Sequence, residues 1–148
     1  MPTDGAPPTT TSTGPRELPG RRLRVARFLQ RGADTWRWGD ALDSGLVGMC
    51  EVTEIEVLRS ARSSAHHQQM QQYLSGFYAW APFPDGVFRR ALQVQHILVD
   101  HGEHRSAGPV DLLVAAVAEL SGLTLLHCAR DFETIARHTG QPTTVLTD

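Results

Sequence analysis

The stretch HRSAGPVDLLVAAVAEL, His104 to Leu120, decides the fold. Pro109 stands where a first helical residue belongs, because its missing N–H is one of the donors that a helix start leaves idle and its ring presets φ. From Val110 to Leu120 the residues are almost wholly apolar, so the spacing predicts a helix buried on most of its sides. Asp111 goes against that grain, with no further acid before Glu119. Burying an unpaired carboxylate is costly and raises its pKa. In the loop ahead, Ser106 is the expected cap of the helix start.

The same reading extends outward. Downstream, Leu123–His127 (LTLLH) predicts a short strand, Asp131–His138 an amphipathic helix stopped by Gly140, and Thr143–Leu146 a last short strand. Upstream, Val87 to Val99 has helical spacing through Val87, Ala91, Leu92, Val94, Gln95 and Leu98, and ends at His101-Gly102. Phe77–Ala81 (FYAWA) is expected as a strand closed by Pro82 and Pro84. Thr53 and Glu56 have capping-box spacing and are expected to open a helix with Val57, Leu58 and Ala61 on its apolar face. The glutamine-rich piece Gln68–Gln72 continues as an exposed helix to about Gly76, and Gly45–Val52 (GLVGMCEV) precedes Thr53 as a buried strand. Strand and helix alternate, which predicts an α/β fold with a mostly parallel central sheet covered by helices.

Composition bounds the function. At 148 residues, 41% of them hydrophobic, the chain fits one domain with enough apolar material for a core. No apolar run approaches the roughly 20 residues of a membrane span, and no charged-then-apolar leader opens the sequence. Cys50 and Cys128 have no metal-ligand spacing and are too few for a disulfide scaffold. A cytoplasmic location without membrane association is therefore expected. The net charge of −2 argues against nucleic-acid affinity through bulk charge alone. All 14 basic residues are arginine, as a GC-rich genome favours. Seven of them (Arg16, Arg21, Arg22, Arg24, Arg27, Arg31 and Arg37) crowd into one stretch opposed only by Glu17 and Asp34. Residues 1–20, rich in Pro, Thr and Gly, are expected to be disordered. Residues 21–37 form an arginine-rich, atypical segment, readable as an RNA-contacting arm or as a solvated or degenerate stretch. Residues 38–148 are the expected domain.

Three acids fall where helices follow strands, the edge at which open parallel sheets build their sites. They are Glu56, Asp111 and Asp131. Singly, each has a plain structural explanation, since an acid in a first turn favours the helix dipole. Jointly they point to a metal centre, because converging carboxylates repel one another unless a divalent cation lies between them. Oxygen ligands favour Mg²⁺ or Mn²⁺ over zinc, and such a centre suits phosphodiester hydrolysis. The histidines offer a weaker alternative: His66 and His67 are adjacent and diverge on a helix, and His96, His101 and His104 lack a tight ligand spacing.

These residues carry a resemblance. The segments VTEIEVLRSARS (Val52–Ser63), FYAWAPFP (Phe77–Pro84), HRSAGPVDLLVAAVAEL and LTLLHCARDFETIA (Leu123–Ala136) resemble a PIN domain of the VapC-type toxins found in bacterial toxin–antitoxin pairs. The resemblance implies a PIN-like three-layer α/β/α sandwich and a Mg²⁺-dependent endoribonuclease acting as the toxin of a type II system. It also implies RNA as substrate, a cognate antitoxin that blocks the site, and a homodimer. Glu56 matches the family's acid in the helix after the second strand, Asp111 the acid opening the buried helix, and Asp131 the acid of the Asp-Phe pair. A further family acid before that pair falls at Cys128-Ala129, which leaves Asp131 as the nearest substitute. Arg59, Arg62 and Arg105 are candidate RNA contacts, against the plainer reading of solvated positions. Tyr73, Phe77, Tyr78 and Trp80 are read as packing residues, and Cys50 and Cys128 as small buried hydrophobes.

The front departs from the pattern. The family opens with an apolar strand ending in Asp, a metal ligand, whereas the only candidate here is RRLRVARFL (Arg21–Leu29), which carries no acid. The first strand is thus read as degenerate. The codons of Glu17 to Arg22 can be written so that a one-base shift yields Asn-Tyr-Leu-Val-Asp, so a frame error is one explanation, which the gene's nucleotide sequence decides. Loss of that strand and its ligand predicts weak Mg²⁺ binding and impaired cleavage. The second reading is a catalytically inactive relative that still binds antitoxin or RNA. Asp34, Asp40 and Asp43 are the nearby acids that could substitute.

Overall fold

The computed structural model describes residues 27–30, 47–127 and 130–145. Residues 1–20, the remainder of the arginine-rich segment, Asp34, Asp40, Asp43, Cys128 and Ala129 lie outside the described residues, and so do the frame-shift reading and the expected disorder. Five strands are β1 (Arg27–Gln30), β2 (Val47–Met49), β3 (Ala79–Trp80), β4 (Thr124–His127) and β5 (Thr143–Val145). The helices are α1 (Glu51–Leu58), α2 (Ser64–Phe77), α3 (Val87–Asp100), α4 (Pro109–Leu120) and α5 (Arg130–Thr139).

The strands form one sheet in the order β3-β2-β1-β4-β5. β2 runs parallel to β3 and β4 parallel to β5, while β1 is antiparallel to both of its neighbours. Four of the five strands therefore share a direction, as the alternation of elements predicts. The candidate first strand is central, but it runs in reverse. Gln30 pairs with Val47 and Thr124, at the starts of β2 and β4, and Arg27 pairs with His127 at the end of β4.

Successive side chains of a strand point to opposite faces, and β4 shows both faces covered. Leu125 joins a cluster with Leu98, Val114, Val117, Phe132 and Ile135 from α3, α4 and α5. Leu126 joins Val47, Met49, Val57, Met70, Leu74 and Tyr78 on the other side, where Tyr73 and Phe77 also pack. The result is a helix–sheet–helix sandwich of three layers.

Several local expectations are corrected. The strand expected over Gly45–Val52 covers only Val47–Met49 among the described residues, because α1 starts at Glu51, ahead of Thr53. Extended Cys50 (φ −93°, ψ 165°) is the N-cap. Thr53 is fully buried inside the helix, its Oγ1 3.6 Å from Cys50 Sγ, so it is no cap and Glu56 falls in the second turn. The chain breaks before α2, where Ser60 Oγ donates to the Val57 carbonyl (2.8 Å) and Ser63 Oγ accepts from the His66 N–H (3.1 Å) as a new N-cap. α2 carries through Phe77, whose ring lies 4.6 Å from Tyr73, which leaves β3 only two residues. Trp80, on that edge strand, is 53% exposed and outside both cores. α4 matches expectation from Pro109 to Leu120, with seven buried residues. Its neighbour α3 is joined to it by a bidentate pair in which Arg90 Nε and Nη2 donate to Glu119 at 2.8 Å each. That hydrogen bonding holds the Arg90 guanidinium above its ordinary pKa.

Candidate acidic site

Asp111 is 6% exposed in the first turn of α4. Its Oδ2 accepts from the Gly108 N–H at 3.1 Å, so the acid satisfies a donor at its own helix start. This also corrects the expected cap. Gly108, extended at φ −77° and ψ 171°, is the N-cap, and Ser106 turns away to donate to the Glu103 carbonyl at 2.7 Å. Extended backbone is what a residue before proline adopts.

α1 packs against α4. Cys50 and Val52 at the start of α1 share a core cluster with Leu112, Ala115 and Ala116 of α4. Glu56 is half-buried on that helix. Its opposite face, with Glu51, Glu54, Ile55 and Leu58, lines a shallow groove of about 770 Å³ together with Trp80 and Arg59. Glu56 is not part of that groove. Asp131 lies half-buried in the first turn of α5, whose start is anchored by fully buried Phe132.

The structure thus brings the helices of Glu56 and Asp111 into contact. Among the described residues no group of three His, Cys, Asp or Glu side chains gathers as a metal site. The backbone that β1 places beside the carboxyl end of β4 belongs to Arg27. The position two residues before Asp131 is alanine. His127, buried at the end of β4 with its ring 5.3 Å from Phe132, is a residue of this edge that the sequence reading passes over. The available signal was a lone polar residue closing the apolar run LTLL.

Arg59, Arg62 and Arg105 are all exposed, Arg105 in the loop leading to α4. That loop is tied to α5 through Glu103. Arg137 Nη2 donates to Glu103 Oε2 at 2.6 Å, and His138 Nε2 lies 3.2 Å from Oε1, with the His138 ring 4.4 Å from that of His101 and tilted to it by 46°. The His138 hydrogen bond, followed by the charges of Arg137, His138 and His101, holds the Glu103 carboxyl below the usual carboxylate range. His66 Nδ1 accepts from the Arg62 N–H at 3.1 Å, and His96 pairs loosely with Asp100 at 3.7 Å.

A three-layer α/β fold with a buried acid, Asp111, in the first turn of α4 points to a class, and comparison with known proteins fixes it. Residues 26–138 match the family model described as PIN domain, and the chain belongs to that family. Within it the chain is of the VapC type. It is 40% identical over 101 residues to Ribonuclease VapC21 of Mycobacterium tuberculosis, covering 68% of this chain and 73% of the relative. It is 43% identical over 112 residues to Ribonuclease VapC2 of the same species, covering 74% and 79%. The crystal structure of VapBC-5, a toxin–antitoxin family member from M. tuberculosis, aligns with a TM-score of 0.49 at 18% identity, covering 68% of this chain and 81% of that one. The resemblance read from HRSAGPVDLLVAAVAEL and its neighbours therefore holds.

Proposed function

We propose that this chain is an endoribonuclease that hydrolyses RNA phosphodiester bonds, the toxin of a type II toxin–antitoxin pair held in check by a cognate antitoxin. Glu56, Asp111 and Asp131 are its acids, Mg²⁺ its metal with Mn²⁺ as substitute, and Arg105, Arg59 and Arg62 its RNA contacts. It works in the cytoplasm, as a homodimer. The observation that carries this reading is Asp111: a carboxylate kept buried at the start of an otherwise apolar helix, packed against the helix of Glu56. A bound dication supplies an activated water and stabilises the leaving oxygen. The side chains hold the negative charge that selects the ion, and exposed Arg105 offers a phosphate contact beside the site.

The described residues of the first strand, Arg27–Gln30, supply no acid to that centre. Accordingly, metal binding is weak and cleavage slow in the chain as written. A second reading, an inactive relative that still binds antitoxin or RNA, is favoured by Arg27 standing beside the end of β4 where the family places its first aspartate. Cleavage of a labelled RNA by the purified full chain, with Mg²⁺ and with EDTA, separates the two. The first reading expects slow cleavage that needs Mg²⁺ and falls at least about tenfold, the scale of one transition-state interaction, on Asp111→Asn. Absence of any Mg²⁺-dependent cleavage, with RNA binding intact, establishes the second.

A further inference from the structure

The shallow groove beside α1 has an apolar floor and charged ends. Ile55 and Trp80 supply the floor, 70% and 53% exposed. Glu51 and Glu54, in the first turn of α1, line the end beside β2. Arg59, the C-cap of α1, lines the far end, and His67 of α2 lines the groove as well. A solvated helix face accounts for these charges. It does not account for two large apolar side chains left in water between them.

The chain that precedes β1 enters the sheet at the acidic end of this groove. Leu29 pairs with Gly48 and Gln30 with Val47, and the same register carries Arg27 to the level of Cys50, the N-cap of α1. Trp80 pairs with Met49, one residue short of that level. Crossing from β1 over β2 to β3 covers about 10 Å, whereas residues 21–26 can span about 20 Å. Their sequence, RRLRVA, suits the groove. An extended RRLRVA sets Leu23 and Val25 on one face and Arg22 and Arg24 on the other. Arginine stems are long enough to reach carboxylates on a rim while the apolar face meets the floor. The order of charges also matches. Arg24, Arg22 and Arg21 are met first on going back from β1, as Glu51 and Glu54 are in the groove, and Glu17 is met later, as Arg59 is.

We propose that residues 21–26 dock on this groove of their own chain, with Leu23 and Val25 on Ile55 and Trp80 and the arginines against Glu51 and Glu54. The arginine-rich segment is then a strap, its cations facing carboxylates rather than RNA phosphates, and it keeps the groove from other partners. The inference stands apart from the ribonuclease reading, because the described lining of the groove includes none of Glu56, Asp111 and Asp131.

Limited trypsin digestion of the full chain, timed by mass spectrometry, tests it, because cleavage of a segment that opens and closes follows its open fraction. Cleavage after Arg22 and Arg24 is expected to be at least about tenfold faster in Ile55→Ser, and in Glu51→Gln combined with Glu54→Gln, than in the wild type. The segment itself is the same in all three proteins, so its intrinsic susceptibility cancels. Ile55 and Glu51 are exposed, and the variants are expected to keep the wild-type circular dichroism spectrum and a cooperative melt, which excludes general unfolding as the cause. The ratio of rates is expected to be the same from about 1 to about 100 µM chain, as a contact within one molecule requires. Equal cleavage rates in the wild type and both variants overturn the proposal and leave the groove to a separate partner. Protection that appears only as concentration rises assigns the groove to the segment of a second copy, and this too overturns it.

Discussion

α3 and α4 lie side by side, joined by Arg90 and Glu119, yet they are built on opposite terms. α4 has seven buried residues and is apolar almost all round, while α3 buries one stripe and exposes another. Each helix is most informative where it breaks its own rule. In α4 that is a buried acid, Asp111, and in α3 a row of large apolar side chains in water. Buried polar groups and exposed apolar patches are the features that folding alone does not require. The first is where the proposed chemistry rests.

The sharpest contrast comes from charging the inside of α4. Val114 is fully buried, and an unpaired carboxylate there costs a large part of a margin of about 5–15 kcal/mol. Val114→Asp is expected to abolish the cooperative thermal transition followed by circular dichroism. A cooperative melt near the wild-type temperature breaks the claim that α4 is buried on most sides.

Within α3 the two stripes separate by truncation. Leu98→Ala, at a fully buried position, is expected to lower stability in urea by about 2–5 kcal/mol. Leu92→Ala, measured where the chain is monomeric, is expected to stay within about 0.5 kcal/mol. Equal effects would erase the distinction between the stripes.

The smallest effect lies in the loop that joins the two helices. Glu103 binds its proton less readily in the folded chain than in the unfolded one, chiefly because of His138. Its tie to α5 therefore stabilises the fold above the ordinary glutamate pKa of about 4.3, and that contribution is lost as pH falls through the lowered value. The difference in Tm between wild type and Glu103→Gln is expected to be present at about pH 6 and to shrink at about pH 3. A difference that is constant with pH assigns the loop's stability to other contacts.

How much of this was legible before the coordinates depends on how local the signal is. Pro109 and the apolar run after it marked α4 almost to the residue, and the spacing of Val87, Ala91, Val94 and Leu98 marked α3. Thr53 misled because a threonine three residues before a glutamate looks like a cap. Its complete burial is a tertiary fact. FYAWA has strand-forming residues, but the helix before it runs on through Phe77, which packs on Tyr73, and leaves the strand only Ala79–Trp80. The direction of β1 was not legible, because the side-chain pattern of a strand sets which residues face which side and not its sense relative to β2 and β4. The site followed the same pattern. Asp111 stood out as an acid in an apolar stretch, whereas the placing of Glu56, Asp111 and Asp131 relative to one another depends on how three helices pack.

The central claim is the proposal that Glu56, Asp111 and Asp131 hold a hard dication, loosely, at one edge of the sheet. Titration of the full chain with Mn²⁺, followed by electron paramagnetic resonance of the free ion, reads this without relying on cleavage. One weak site per chain is expected, lost in both Asp111→Asn and Glu56→Gln while both variants keep the wild-type circular dichroism spectrum. Identical Mn²⁺ titrations for wild type and the two variants would contradict it.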